Sequence, residues 1–134
     1  MPEPELVEYE NGGKEWFLNG DDLHREDGPA VELPDGYKAW YINNRLHRLD
    51  GPAVENDDGY EAWYINGNLH REDGPALTNS LGSKYWYSNG VCHREDGPAI
   101  ERRNGSKQWW LNGKEYTEEE YVMIQFMNGK NIYV

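Results

Sequence analysis

The stretch His70-Arg71-Glu72-Asp73-Gly74-Pro75-Ala76 decides the fold, because the chain repeats it with little change. The pattern His-Arg-x-Asp-Gly-Pro-Ala, called here the corner motif, stands at residues 24–30, 47–53, 70–76 and 93–99, so its histidines are 23 residues apart. A fixed period of this size is typical of proteins in which one supersecondary unit is copied and stacked along an axis. Such arrays build extended surfaces, whereas an enzyme usually needs one asymmetric site. The pattern therefore favours a binding protein.

A single copy, residues 51–70, shows what each unit forms. It contains two short apolar runs, at 53–55 and 60–65. Asn-Asp-Asp-Gly separates them, and these residue types tolerate the positive φ that tight turns need. The second run is aromatic and β-branched, as strands favour, and it ends in the turn dipeptide Asn66-Gly67. Each repeat is predicted to be a β-hairpin with a short and a longer strand.

The corner motif has its own physical logic. Proline lacks a backbone donor and restricts the residue before it, so Gly-Pro cannot lie in a central ladder and makes a fixed corner. Each corner also holds an Arg two residues before an Asp. We expect these opposite charges to pair, with about 0–1 kcal/mol from each exposed pair.

The chain ends in a different pattern. Thr117 and Glu120 form a capping-box signature, and Asn128-Gly129 supplies a stop signal. The residues between them predict a helix of about three turns. Because a repeat array needs a terminal cap over its last apolar face, this helix is interpreted as the cap. A dimer contact or a partner-binding helix stays open as an alternative.

These observations predict an all-β repeat fold: tandem 23-residue β-hairpins forming an elongated twisted sheet, with a C-terminal capping α-helix. The array is expected to open with a half-repeat near Leu6 and to occupy residues 1–116. Residues 117–134 are expected to hold the helical cap and a short final strand at 130–134.

Composition narrows the class of partner. The chain has 25 acidic and 13 basic residues and a net charge of −12. Phosphate contacts need clustered Lys and Arg, so direct nucleic-acid binding is not expected. The charge suits a protein partner with a basic surface. Mimicry of nucleic acid, or a merely solubilising acidic surface, would have the same charge.

Cysteine content and hydropathy bear on location. Cys92 is the single cysteine, so no internal disulfide forms, which fits a reducing compartment. It stands where other repeats have leucine and is predicted to be a small core residue. No apolar run is long enough for a membrane span, and no membrane association is expected. We expect a cytoplasmic protein.

The strand pattern divides the aromatic residues between two faces. A period of two places the repeated Trp on one side of the longer strand and Tyr-rich positions on the other. The residues of this second side are Tyr41, Tyr64, Tyr87 and Trp110, and we predict them to contact the partner. Tyrosine gives rigid contact area at low entropic cost, although cross-strand aromatics also simply stabilise sheets.

The repeated polar residues do not indicate catalysis. Histidines about 9–10 Å apart, two strand spacings, cannot share one metal ion, so neither a metal nor a cofactor is expected. A His/Asp pair would occur four times with no nucleophile beside it, so no catalytic residues and no enzyme activity are expected. The repeated cations Arg48, Arg71 and Arg94 are candidate anion contacts.

The Trp-x-x-Asn-Gly core, the following glycine and the 23-residue period resemble MORN repeats, and the resemblance covers about residues 6–115. The corner motif replaces the glycine-rich second half of a MORN unit and is similar to arrays in bacteriophage and giant-virus proteins. This resemblance implies a phage-encoded inhibitor that occludes a host defence protein in the host cytoplasm.

Three functional hypotheses follow. The first is a non-catalytic protein-binding module. The second is a small-molecule or nucleotide sponge, with aromatic rings stacking on bases and corner arginines contacting phosphates. The third is a structural or assembly protein that self-associates through its open sheet ends or its terminal helix.

Overall fold

A computed structural model describes residues 2–131 and confirms a β-hairpin repeat array followed by one helix. Among these residues, no helix combines the length and apolarity needed to cross a membrane. The elements are β1 (Glu5–Glu8), β2 (Lys14–Leu18), β3 (Asp22–Leu23), β4 (Val31–Glu32), β5 (Lys38–Ala39), β6 (Tyr41–Ile42), β7 (Arg45–Leu46), β8 (Val54–Glu55), β9 (Glu61–Ala62), β10 (Tyr64–Ile65), β11 (Asn68–Leu69), β12 (Leu77–Thr78), β13 (Lys84–Tyr85), β14 (Tyr87–Ser88), β15 (Val91–Cys92), β16 (Ile100–Glu101), β17 (Lys107–Leu111), β18 (Lys114–Tyr116) and α1 (Glu118–Met127).

One antiparallel sheet runs through all the repeats. Its twelve strands follow the order β1-β2-β4-β5-β8-β9-β12-β13-β16-β17-β18, with β3 paired to β2. The register places Val54 opposite Ala62 within one hairpin and opposite Ala39 of the preceding hairpin. The half-repeat predicted near Leu6 is present as the β1–β2 hairpin. The predicted fold class is therefore confirmed.

The longer strand predicted for each internal repeat is interrupted at its tryptophan. In the copy that contains Trp63, β9 belongs to the main sheet, whereas β10 pairs with β11 in a separate hairpin. The Trp63 amide donates to the Ala76 carbonyl at 2.6 Å, and the Trp63 carbonyl accepts from the His70 amide at 3.0 Å. Because these two backbone groups bond to different segments, the chain leaves the main sheet here. Each internal repeat therefore holds two hairpins, not one.

The second hairpins also follow one another along the array. The Arg71 amide donates to the Tyr87 carbonyl at 3.2 Å, and the Gly90 amide donates to the Leu69 carbonyl at 2.8 Å. Their turns hold both central residues at positive φ, as at Asn66 (49°) and Gly67 (81°). This is the type I′ geometry that Asn-Gly favours. These isolated hydrogen bonds between repeats thus link the second hairpins into a row.

The core consists of small residues of the main sheet and side chains of the second hairpins. The alanines at the end of each corner motif, together with Ala39 and Ala62, have no exposed surface. Half-buried side chains of the second hairpins, including Tyr41 and Tyr64, pack against the cluster of Val31, Ala39, Val54 and Ala62. Side chains of both hairpins of a repeat therefore contribute to the core.

The helix closes the array at the last corner. Thr117 and Glu120 form the predicted capping box, and Asn128 is the C-cap. The buried Tyr121 hydroxyl donates to the Arg94 carbonyl at 2.6 Å, and the Gln125 amide nitrogen donates to the Glu95 carbonyl at 2.7 Å. The helix thus packs on the last corner and ends the repeat array.

The predicted final strand at 130–134 falls mainly on residues 132–134, which lie outside the described part of the chain. Lys130 and Asn131, which are described, do not belong to a strand.

Candidate functional site

The corner motif holds each arginine against a tryptophan ring. The guanidinium carbon of Arg71 lies 4.0 Å from the centroid of Trp63. The same pairing occurs at the other three corners, with Arg25 on Trp16 at 3.8 Å, Arg48 on Trp40 at 3.8 Å and Arg94 on Trp86 at 3.9 Å. A cation over an indole face is attracted by the ring quadrupole, by about 0.5–1 kcal/mol at exposed sites. The sequence pattern alone does not indicate this stacking.

Two polar partners hold the guanidinium over the face of the ring. Arg71 Nε donates to Asp73 Oδ1 at 3.0 Å, and its Nη1 donates to the Pro75 carbonyl at 3.2 Å. Each of the other corners makes the same two bonds. The predicted Arg–Asp pairing is thus confirmed, and it lies within each repeat.

The glycine of the corner motif makes room for the arginine. A Cβ atom on Gly51 would lie 2.7 Å from the guanidinium carbon of Arg48, closer than real Cβ atoms approach. At Gly28, Gly74 and Gly97 the corresponding distance is 3.0 Å. The guanidinium therefore lies between a tryptophan ring and a glycine. This arrangement explains why Arg, Asp, Gly and Pro recur together.

The histidine of the motif connects successive repeats. His70 Nδ1 accepts from the backbone amide of Asn89 at 2.9 Å, and the other three histidines accept from the corresponding residue of the next repeat. An Nδ1 that accepts from an amide leaves the proton of neutral imidazole on Nε2. In three corners this nitrogen lies near the carboxylate of residue x, as for His70 and Glu72 at 3.7 Å. Burial lowers the pKa of His93, which favours its neutral form.

The carboxylates of the corners face solvent. The side chains of the four motif aspartates are 84–89% exposed, although each also accepts from its arginine. Glu26 and Glu72 are similarly exposed. The surface formed by the four corner motifs, called here the corner face, therefore presents mainly negative charge.

Grooves separate successive corners. The first groove, about 710 Å³, lies between corners 24–30 and 47–53 and is lined by Trp40 and Ile42. The second, about 650 Å³, lies between corners 47–53 and 70–76 and is lined by Trp63 and Ile65. The third, about 700 Å³, has Ser88 in place of the isoleucine. The corner face thus combines carboxylates with partly apolar depressions.

The aromatic residues predicted to contact a partner lie elsewhere. Tyr41, Tyr64, Tyr87 and Trp110 are half-buried, and they pack against the two clusters of buried core residues. Burial raises the pKa of Tyr41 and Tyr87. Their contact with a partner stays a prediction, and any test must preserve their packing.

The arginines predicted as anion contacts are engaged within the chain. Arg48, Arg71 and Arg94 each stack on a tryptophan and bond to an aspartate and a proline carbonyl. An anion would have to compete with these partners. Their role as anion contacts stays a prediction.

Cys92 is buried as the sequence predicts, beside Ala99 and Ile100. Burial raises the pKa of its thiol to about 11. Over residues 2–131, no group of three or more His, Cys, Asp or Glu side chains converges as metal ligands do.

The sequence matches no protein-family model, and a search of curated proteins finds no significant relative. The resemblance to MORN repeats therefore rests on the quoted motifs alone.

Proposed function

We propose that the chain is a non-catalytic protein-binding module whose partner presents a basic surface. The observation that carries this proposal is the corner face, on which the four arginines pair with the motif aspartates while Glu26, Glu72 and Glu95 leave a net negative charge. Such a surface, on a chain of net charge −12, attracts cationic surfaces and speeds their association. A phage-encoded inhibitor of a host defence protein is one specific form of this proposal, and it rests on the motif resemblance.

The repeat geometry supports binding over small-molecule capture. A nucleotide sponge would need cations for the phosphates, and the repeated arginines already hold aspartate and carbonyl partners. A protein surface needs no deep enclosed cavity, because it gains affinity from a few desolvated contacts within a broad polar rim. The sponge is thus the weaker candidate.

Self-assembly is a second candidate because the terminal helix presents apolar side chains to solvent. Met123, Phe126 and Met127 are 60–77% exposed. Size-exclusion chromatography with light scattering tests this candidate directly. A dimer that Phe126→Gln converts to a monomer would favour assembly through the helix.

The test of the binding proposal is affinity capture from bacterial lysate, read by mass spectrometry, with three paired baits. The first is the unaltered chain. The second is Glu26→Gln/Glu72→Gln, which removes two charges from the corner face. The third is Glu3→Gln/Glu10→Gln, which removes two exposed charges elsewhere.

We expect a basic protein that the first and third baits retain and the second loses. Equal capture by the second and third baits would argue against the corner face. A fourth bait, Tyr64→Phe/Tyr87→Phe, removes two hydroxyls while preserving the packed rings. Selective loss on that bait would assign binding to the tyrosines instead.

A further inference from the structure

One corner departs from the others at the position of residue x. The motif has Glu26, Glu72 and Glu95 at this position but Leu49 in the second corner. Leu49 is 76% exposed, so its side chain leaves most of its apolar surface in water. Burying a leucine side chain stabilises a contact, whereas exposure gains nothing for the fold. The packing of this chain does not explain the leucine.

Leu49 lies where two grooves meet. It lines both the first groove, with Trp40 and Ile42, and the second groove, with Trp63 and Ile65. The third groove has neither the leucine nor an isoleucine, and Lys130 contributes to its lining. Leu49 therefore lies on the corner between the first two grooves and lines both of them, and we call these two grooves together with Leu49 the Leu49 groove.

The same substitution changes the neighbouring histidine. His47 Nδ1 accepts from the Asn66 amide at 3.0 Å, as in the other repeats. Its Nε2 has no carboxylate partner among residues 2–131, whereas the other three histidines each lie near a glutamate at 3.5–3.7 Å. Because Nδ1 accepts, Nε2 carries a proton. His47 also lines the groove and so brings a hydrogen-bond donor to it.

Carboxylates surround the Leu49 groove. Asp50 lies on the same corner and lines both grooves, with Glu26 and Asp27 on one side and Glu72 and Asp73 on the other. The exposed fraction of each of these side chains is between 81 and 89%. Arg25, Arg48 and Arg71 also line the grooves, but each pairs with the aspartate of its own corner. Glu26 and Glu72 therefore leave the rim with a net negative charge, which complements an apolar residue that has cations on both sides.

We propose that the Leu49 groove binds an extended segment of a partner protein, with one apolar side chain at Leu49 and Lys or Arg on either side. This inference rests on the proposed function and specifies its partner. His47 donates to a carbonyl of the bound segment. Equivalent positions of adjacent repeats are two strand spacings apart, about 9–10 Å, and an extended chain rises about 3.3 Å per residue. The cations should thus stand about three residues from the apolar side chain.

The experiment measures binding of dye-labelled peptides by fluorescence anisotropy. The probe is Lys-Lys-Ser-Ser-Phe-Ser-Ser-Lys-Lys. Three comparison peptides replace Phe with Ser, replace Lys with Glu, or place the four lysines directly beside Phe. The protein is tested unaltered, as Leu49→Glu and as Leu81→Glu. The last is a matched control, because Leu81 is also exposed but lies in a turn of the main sheet away from the corners.

We expect Leu49→Glu to weaken binding of the probe peptide at least tenfold, and Leu81→Glu to change this binding less than twofold. The indole N–H signals of Trp40 and Trp63 should shift in NMR spectra, with smaller shifts for Trp86. Leu49→Glu introduces the residue that the other corners carry, so it should fold, which circular dichroism verifies. The Ser, Glu and adjacent-lysine peptides should each bind more weakly than the probe.

Two failures are distinguishable. In the first, binding depends on lysine, but Leu49→Glu leaves it unchanged or Leu81→Glu weakens it equally. This result would refute the assignment of the site to the Leu49 groove and would leave the proposed function standing. No preference of the unaltered protein for lysine over glutamate peptides would contradict both.

Discussion

Replacing Gly51 with alanine tests the central contact of the corner motif. The added Cβ would lie 2.7 Å from Arg48 Cζ and 3.0 Å from its Nε and Nη1, and these are its three nearest neighbours. The φ of Gly51 is outside the left-handed region, so alanine meets no backbone strain there. Any cost therefore comes from displacing the guanidinium.

The size of the effect follows from what the guanidinium loses. Arg48 stacks on Trp40 at 3.8 Å, and this contact contributes about 0.5–1 kcal/mol. Its 3.0 Å bond to the Pro52 carbonyl contributes about 1 kcal/mol, and its pair with exposed Asp50 contributes about 0–1 kcal/mol. Alanine also restricts the unfolded chain, which offsets about 0.4–1 kcal/mol of this loss. We expect a net destabilisation of about 1–2 kcal/mol, or about 3–10 °C in Tm for a chain of this size.

The assay is a double-mutant cycle with Arg48→Ala, read by urea unfolding. Without the guanidinium, Gly51→Ala has nothing to displace and should be neutral or stabilising. The sign of its effect should therefore change with the background. An equal loss of stability in both backgrounds would refute the assignment of this glycine to the arginine.

Three further outcomes are expected. Burial lowers the pKa of His93, so near pH 6 the unfolded chain binds more protons than the folded chain. The stability that neutral His93 contributes is therefore full above the ordinary histidine pKa of about 6.5, and it is lost as the pH falls below that value. Unfolding curves at pH 7.5 and 5.5 should therefore differ more for the unaltered chain than for His93→Asn, and equal differences would contradict this. Because burial raises the pKa of the Cys92 thiol to about 11, Ellman's reagent at pH 8 should react with this thiol quickly only after urea unfolding. Rapid labelling of the native chain would contradict the burial of Cys92. Tyr121→Phe removes the hydroxyl that bonds both the Arg94 carbonyl and the Gly97 amide. Thermal unfolding should therefore show a decrease of about 1–3 kcal/mol in the free energy of unfolding. An unchanged midpoint would show that these two hydrogen bonds do not stabilise the fold.

Local signals in the sequence were sufficient for the array and its ends. The Asn-Gly turns, the half-repeat and the helix with its cap at Thr117 were all predictable, because each depends on residues close together in the chain. The Arg–Asp pairs were predictable for the same reason, being two residues apart. The burial of Cys92 followed from its alignment with leucines of other repeats.

Local sequence signals did not locate the corner face. The sequence pattern predicted partner contacts on the tyrosine side of the strand, and this stays a prediction; it did not indicate the exposed carboxylates and grooves at the corners. The sequence did contain one signal, Leu49 in place of Glu, but its meaning depends on what surrounds it. A single departure from a repeat becomes interpretable only when its exposure is known.

The sequence by itself determined the period, the hairpins and the terminal helix, since turns and caps are formed by neighbouring residues. The tertiary structure alone decided that the long strand of each internal repeat breaks at its tryptophan, because the amide and carbonyl of Trp63 bond to the two ends of the same corner motif. It also decided that Arg71 lies between Trp63 and Gly74. Alternation within a strand cannot indicate where that strand changes its hydrogen-bonding partner, and that change creates the corner face.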